Sequence, residues 1–348
     1  MAPKIAPLSV VPDTPRVVAP HGPGGDVPYP WTRRSKRHYG LTSPLPVAVI
    51  RVPLAIVLVA VRFPVMLLIL MFQCIACKIV LIGAKPPKGP GDKCLPGWRS
   101  GIIRGLTGIF SRVLLLVWGF WWIETSTAPG ADLTTPHKLI VSNHIGYIEI
   151  FYLVSKFAPS FVAKRSVLDI PLFGSIAAAM QSIFVDRSSE DSRHKTGEML
   201  HLRADPNSTF PPCAIFPEGT ATNGTTVITM AKGAFRDGHP MRVFAVYAPV
   251  TCGFDPSWGV HSDDGGDDSH LLGLMMQPLN RLRVHDLGVF KPNSAEKADP
   301  QAYVTRVQRA IAESIGAEIS PCTLSEFLAE EDRRKGRPVK ERRDEEKS

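Results

Sequence analysis

The apolar positions divide the chain into two unlike parts. Residues 52–84 are apolar almost without a break, interrupted by Pro53, Arg62, Pro64 and Lys78. A single membrane span needs roughly 20 apolar residues, and this run is longer. The Arg62-Phe63-Pro64 interruption predicts two short legs or a kinked helix. A second apolar run covers residues 101–123 and ends in the aromatic cluster Trp118, Phe120, Trp121 and Trp122, a pattern typical of membrane interfaces. From His137 onward the rhythm changes. Short apolar runs, "HKLIVSN", "CAIFPEG" and "MRVFAVYAPV", read as buried strands. They alternate with the helical patterns "EIFYLVSKF" and "PLFGSIAAAMQ", and residues 300–316 form an amphipathic helical pattern. Alternation of this kind predicts an α/β fold, a mainly parallel sheet flanked by helices, with membrane-embedded helices ahead of it.

Four segments follow from that pattern. Residues 1–44 are a Pro/Gly-rich basic arm expected to be disordered, and residues 45–125 are a helical membrane anchor. Residues 126–325 are the α/β domain, and residues 326–348 are a charged tail expected to be disordered. The arm carries "RRSKRHYG", and the link between the two apolar runs, "KPPKGPGDKCLPGWR", is basic as well. Both flanks of the first run therefore favour the cytosolic side, which points to a hairpin or re-entrant insertion.

Charge narrows the partners. The net charge of +8 suits either nucleic acid or an anionic membrane surface. The chain has no recognition helix, zinc-finger spacing or aromatic-basic interleaving, so the expected partner is membrane and not nucleic acid. Six cysteines stand at 74, 77, 94, 213, 252 and 322. Cys74 and Cys77 form a CxxC inside an apolar run with no second pair nearby, so they read as apolar thiols and no metal site is expected. No disulfide framework is implied. The patch "SDDGGDDSH" at 262–270 lacks EF-hand spacing and reads as a solvated loop.

The candidate chemistry begins at "HKLIVSNHIGYIEIFYLV". His144 and Glu149 are five residues apart, which turns about 140° on a helix and lands on opposite faces of a strand. A strand that turns into a helix between them brings the pair together. Two readings stand at this point: a structural histidine, as an isolated pair of this kind more often is, or a base whose tautomer the carboxylate fixes and whose imidazolium it stabilises when His144 takes a proton. Further on, "MQSIFVDRSSEDSR" carries Asp186-Arg187, "CAIFPEGTATNG" carries Glu218, Gly219 and Thr220, and "VYAPVTCG" is a strand broken at Pro249.

In this order the motifs resemble the four of the glycerolipid acyltransferase superfamily, over about residues 137–319. "SNHIGYIE", "FVAKRSV", "AMQSIFVDRSSEDSR", "FPEGTATNG", "KGAF" and "GFDPSWG" look most like the lysophosphatidylethanolamine and lysophosphatidylcholine acyltransferases of plants and algae. Two positions depart from the wider superfamily. Glu149 replaces the commoner aspartate. Ala221 follows FPEGT, where the phosphatidate-forming branch usually has arginine, the better partner for a phosphomonoester.

The resemblance implies the roles. His144 is the general base toward the lysolipid hydroxyl and Glu149 orients it. The hydroxyl attacks an acyl-CoA thioester directly, with acyl-CoA as co-substrate and no cofactor. No G-x-S-x-G elbow or well-placed cysteine calls for an acyl-enzyme. Arg187 binds phosphate through its planar fork, and Glu218 braces the acceptor site. Backbone N–H groups near Gly219 and Thr220 hold the acceptor or the developing oxyanion. Lys164, with Arg165, is either a phosphate or CoA contact or a solvated pair. Lys232 has either a basic site role or a surface one.

The expected activity is acylation of lysophosphatidylethanolamine or lysophosphatidylcholine. Lysophosphatidate or glycerol-3-phosphate is the alternative acceptor, and a non-catalytic membrane tether or lipid-binding protein is the alternative class. Asn207-Ser208-Thr209 and Asn223-Gly224-Thr225 are glycosylation sequons. A glycan on Asn223 would obstruct the acceptor motif. The expected location is thus the endoplasmic reticulum membrane, with the catalytic domain facing the cytosol.

Overall fold

A computed structural model of the chain describes residues 45–186, 189–251, 253–257, 267–334 and 338. The expected arm at 1–44, Arg187, Cys252 and most of the charged tail lie outside the described residues.

The first apolar run is one continuous helix, α1 (Leu45–Val80), and not two legs. It passes through Pro53 and Pro64, which membrane-type helices tolerate where neighbours satisfy the freed carbonyls. One narrow stripe of α1 is buried: Ala55, Arg62, Met66, Leu70, Gln73, Cys74 and Cys77, at the three-to-four spacing of a helical face. Its other faces expose large apolar side chains, among them Ile56, Val57, Val61, Phe72 and Ile79. Together with α2 (Gly97–Val117), α1 is long and apolar enough to cross a membrane. An exposed apolar face of this extent seats the protein on or in a membrane.

Among the described residues, nine strands follow the two helices. A seven-stranded sheet has the order β1-β8-β7-β2-β5-β3-β4. Its strands are β1 (Ile123–Thr127), β2 (Leu139–Ser142), β3 (Ser160–Lys164), β4 (Ile183–Val185), β5 (Cys213–Ile215), β7 (Met241–Tyr247) and β8 (Leu282–Phe290). Among these seven described strands, β7 and β8 pair antiparallel and the other neighbours are parallel. The pair β6 (Thr226–Val227) and β9 (Glu318–Ile319) forms a small separate ladder. The strands expected from "HKLIVSN", "CAIFPEG" and "MRVFAVYAPV" are β2, β5 and β7. The helix expected at 300–316 is α8 (Pro300–Ile315), started by the Asp299 side chain on Gln301 N and stopped at Gly316, whose φ is +66°.

Alternation along the strands sorts two cores. Leu139, Val141, Cys213, Ile215, Met241 and Val243 face α5 (Glu190–Ala204) and α8, where Met199, Leu200, Tyr303, Val304 and Val307 meet them. Ile140, Ala214, Phe244, Val246 and Val284 face the other way. There they meet Met66, Leu70 and Cys74 of α1, Leu114 and Leu115 of α2, Leu153 of α3 (Ile148–Phe157) and Leu274 of α6 (Asp267–Met276). The anchor helices are therefore one outer layer of the fold.

Arginines lock that layer by filling the unpaired carbonyls at helix ends. Arg62 of α1 donates to the carbonyls of Met275 and Gln277 as α6 ends. Arg99 donates to Val80 and Ile82 at the end of α1. Arg104 of α2 donates to Phe157 and Ala158 at the end of α3. At Gly119, φ is +87° and a Cβ would sit 3.4 Å from the Arg62 guanidinium, so glycine fits both the bend and the close approach.

Three expectations change. The aromatic cluster splits: Trp118 and Phe120 are core, while Trp121 and Trp122 are exposed. α9 (Leu324–Arg334) crosses the expected boundary at 325/326, where Leu324 and Leu328 pack on Ile228 and Cys322. β1 likewise crosses the boundary at 125/126, because it pairs with β8 and belongs to the sheet.

Candidate active site

β2 and β5 are parallel neighbours with Val141 opposite Ile215. His144 and Glu218 each stand three residues beyond that pair, at the carboxyl edge of the sheet, where α/β folds place their sites. Glu218 Oε1 accepts the backbone N–H of His144 at 2.8 Å, and Oε2 accepts that of Ile228 at 3.2 Å.

The chain leaves β2 and turns a corner into α3. The Asn143 side chain holds the corner by pairing with both backbone groups of Val246 in β7, at 2.9 and 2.8 Å. Glu149 lies in the first turn of α3, where a carboxylate complements the positive helix end. Its Oε1 accepts from Ile145 N at 2.9 Å and Gly146 N at 3.0 Å, and lies 2.6 Å from His144 Nδ1. A carboxylate can only accept, so Nδ1 carries the proton and Nε2 is left as the basic nitrogen. Glu149 is fully buried, whereas the His144 side chain keeps 18% exposure. The imidazole stacks on Phe216 with centroids 4.3 Å apart. Thr222 N donates to His144 O at 2.8 Å, so the segment after FPEGT closes back on the histidine.

Behind the corner, Trp118 at the end of α2 meets Tyr147 and Phe151 edge-on, at 5.5 and 4.9 Å between centroids. Tyr147 Oη lies 2.9 Å from Nδ1 of His270 in α6. The membrane layer thus packs directly against the helix that carries Glu149.

Desolvation pushes the Glu218 carboxyl up to about 8, with the nearby Glu149 adding to the rise and the N–H groups of His144 and Ile228 opposing it.

Lys164 and the Gly219-Thr220 turn lie toward the same edge, at the ends of β3 and β5. Gly219 has φ +72°, which favours glycine in the turn, but its N–H donates to Phe216 O at 3.0 Å. The turn itself therefore uses the donor expected to serve the acceptor or oxyanion. Thr220 and Ala221 beside it are buried. Lys164 ends β3 exposed and pairs in register with Val185 of β4, the strand that runs toward Arg187. Cys213 is fully buried within β5 and unsuited to attack a thioester. Lys232 lies half-buried in a short 3₁₀ turn.

Asn143, Phe216 and Thr222 were not expected. Asn143 carried one readable signal, an amide directly after an apolar strand. Phe216 and Thr222 carried none, because their roles depend on how β2 and β5 align.

A basic ring nitrogen fixed by a buried carboxylate suits general-base activation of a substrate hydroxyl. The acyltransferase family model matches residues 132–244. Lysophospholipid acyltransferase LPEAT1 of Arabidopsis thaliana is 31% identical over 311 residues, covering 78% of this chain and 77% of that one. A lysophosphatidylcholine acyltransferase of Drosophila melanogaster is 32% identical over 238 residues, covering 68% of this chain and 43% of that one. The crystal structure of the 1-acyl-sn-glycerophosphate acyltransferase PlsC from Thermotoga maritima is similar with a TM-score of 0.44 and 14% identity, covering 73% of this chain and 97% of that one. The chain belongs to the acyltransferase family, and it is an enzyme of that class.

Proposed function

We propose that this protein transfers a fatty acyl group from acyl-CoA to the free hydroxyl of a lysophospholipid, with lysophosphatidylethanolamine or lysophosphatidylcholine preferred. The observation that carries the reading is the 2.6 Å contact of His144 Nδ1 with the buried Glu149, which leaves Nε2 basic at the carboxyl edge of the sheet. Nε2 takes the hydroxyl proton as the lysolipid oxygen attacks the thioester carbon. The tetrahedral intermediate collapses by breaking the C–S bond, and the proton passes from the imidazolium to the CoA thiolate. Glu149 stabilises the cation in between. Glu218 holds the backbone of the base turn, and Lys164 with Arg187 receives the phosphate of the acceptor or of CoA.

The acceptor preference is supported by the names of the relatives and by Ala221, a small buried residue where a phosphomonoester site would gain from arginine. Location in the endoplasmic reticulum with a cytosolic domain is supported by the basic flanks and by Asn223. This asparagine is fully buried, with its Oδ1 accepting from Thr225 N and Oγ1, and a glycan there would prevent the packing. α1 rests on the domain over residues 55–77, which fits insertion of its outer face into one leaflet, as in a re-entrant anchor.

The test is acyl transfer by the purified full chain in lipid-detergent micelles, with lysophosphatidylethanolamine, lysophosphatidylcholine, lysophosphatidate and glycerol-3-phosphate offered in turn. Diacyl product from either of the first two supports the reading. Transfer only to lysophosphatidate or glycerol-3-phosphate replaces the acceptor, and transfer to none favours a tether.

A further inference from the structure

At the opposite edge of the sheet from His144, a second cluster of polar side chains gathers from distant parts of the chain. His201 stands in the last turn of α5, and Asp237 and His239 flank the glycine turn that leads into β7. His201 Nδ1 lies 3.0 Å from Asp237 Oδ2. The rings of His201 and His239 are 5.8 Å apart, and one ligand atom from each of the three residues lies within 4.8 Å of the others. His239 Nε2 is shut from solvent and has no hydrogen-bond partner among the described residues. A buried ring nitrogen without a partner costs free energy unless something else satisfies it.

The backbone under these ligands is firmly held. Gly238 has φ +60°, and its N–H donates to Phe235 O at 3.1 Å. Phe235 is fully buried edge-on against Tyr303, whose hydroxyl donates to Phe290 O at 2.8 Å and lies 3.3 Å from His239 O. The third ligand is the adjustable one, since the His201 side chain is 63% exposed. Ligand atoms around tetrahedral zinc are about 3.4 Å apart, given bonds of about 2.1 Å. The ligand atoms, within 4.8 Å of one another, are wider apart than that, and the exposed side chains of His201 and Asp237 have room to adjust.

We propose that His201, Asp237 and His239 form a binding site for a divalent transition metal, zinc in the first instance. Two imidazoles and one carboxylate suit zinc over magnesium or calcium, which prefer all-oxygen shells. The ion replaces the His201–Asp237 hydrogen bond, satisfies His239, and leaves a coordination position for water. It clamps the end of α5 to the turn that starts β7. Its place, on the far edge from His144, makes it a structural clamp and not a part of the acyl-transfer chemistry. Because α5 also begins just after the segment bearing Arg187, the clamp fixes the far end of that unit.

The test uses untagged full-length protein in detergent, stripped with EDTA and dialysed, then titrated with zinc chloride against a chromophoric chelator. The expected result is one equivalent bound with a Kd below about 10 µM and a Tm raised by roughly 3 °C at saturating zinc. His201→Gln and His239→Gln each remove that equivalent and the Tm shift. His194→Gln, which alters another exposed histidine of α5 paired with Glu198, keeps both. Magnesium and calcium give no shift. Because His201 is exposed, its variant folds, and it retains acyl transfer. Absence of a bound equivalent, or one that survives His201→Gln, overturns the site.

Discussion

Glu218 Oε1 accepts the backbone N–H of His144 at 2.8 Å, which joins the FPEGT turn to the proposed base through main chain. The motif glutamate thus positions the backbone of the histidine. Both of its oxygens accept N–H groups, the second from Ile228.

That arrangement sets a pH signature. The Glu218 pKa is raised from 4.5 to about 8 by burial, so the folded state holds a proton there that the unfolded state has released. The contribution of this group to stability is fully present below about pH 4.5 and is lost as pH rises through about 8. The Tm of the wild type relative to Glu218→Gln should fall across that window and level off above it. A difference that stays flat from pH 5 to pH 8.5 in thermal scans contradicts the assignment.

At Glu149, behind His144, charge and shape can be tested separately. In Glu149→Gln, an amide oxygen still accepts from Ile145 and Gly146 while the negative charge is gone. Loss of the charge should lower kcat by about 100-fold or more with KM little changed. Glu149→Asp keeps the charge on a shorter arm and should retain more activity than either Gln or Ala. Steady-state rates near wild type for Glu149→Ala would show that it does not orient His144.

Arg62 ties the membrane helix to the catalytic layer. Its guanidinium fills carbonyls at the end of α6, the helix whose His270 meets Tyr147. Arg62→Ala leaves those carbonyls unpaired in a buried place and should cost on the order of 3 kcal/mol of stability. Thermal melting in detergent reads this as an earlier transition, with acyl transfer lost in parallel. An unchanged melting curve removes Arg62 from the account.

The sequons report topology. Asn207 is exposed next to the end of α5, so a luminal domain would present it for glycosylation. The cytosolic orientation predicts no mobility change on endoglycosidase treatment of membranes from expressing cells. A glycan on Asn207 places the domain in the lumen.

Much of this architecture was legible from local pattern. β2, β5 and β7 were readable because each is a short apolar run closed by a polar or turn residue, and α8 because its start and stop signals are in place. The corner between His144 and Glu149 followed from spacing alone. What stayed hidden depends on alignment between distant segments. The meeting of His144 with Glu218 comes from the Val141–Ile215 register, and the cluster at His201 and His239 from packing α5 on the start of β7. Trp118 and Trp122 look alike in sequence, yet the end of α2 buries one and exposes the other. Hydropathy cannot tell a helix face turned to lipid from one turned to a sheet, so α1 read as an anchor and not also as a layer of the core.

The most direct measurement is acyl transfer from acyl-CoA to lysophosphatidylethanolamine and lysophosphatidylcholine by wild type and His144→Ala, compared at matched folding by thermal melting. The account predicts product from the wild type and a loss of on the order of 1000-fold or more in the variant, the scale of a missing general base. A folded His144→Ala enzyme that transfers acyl groups at the wild-type rate contradicts it.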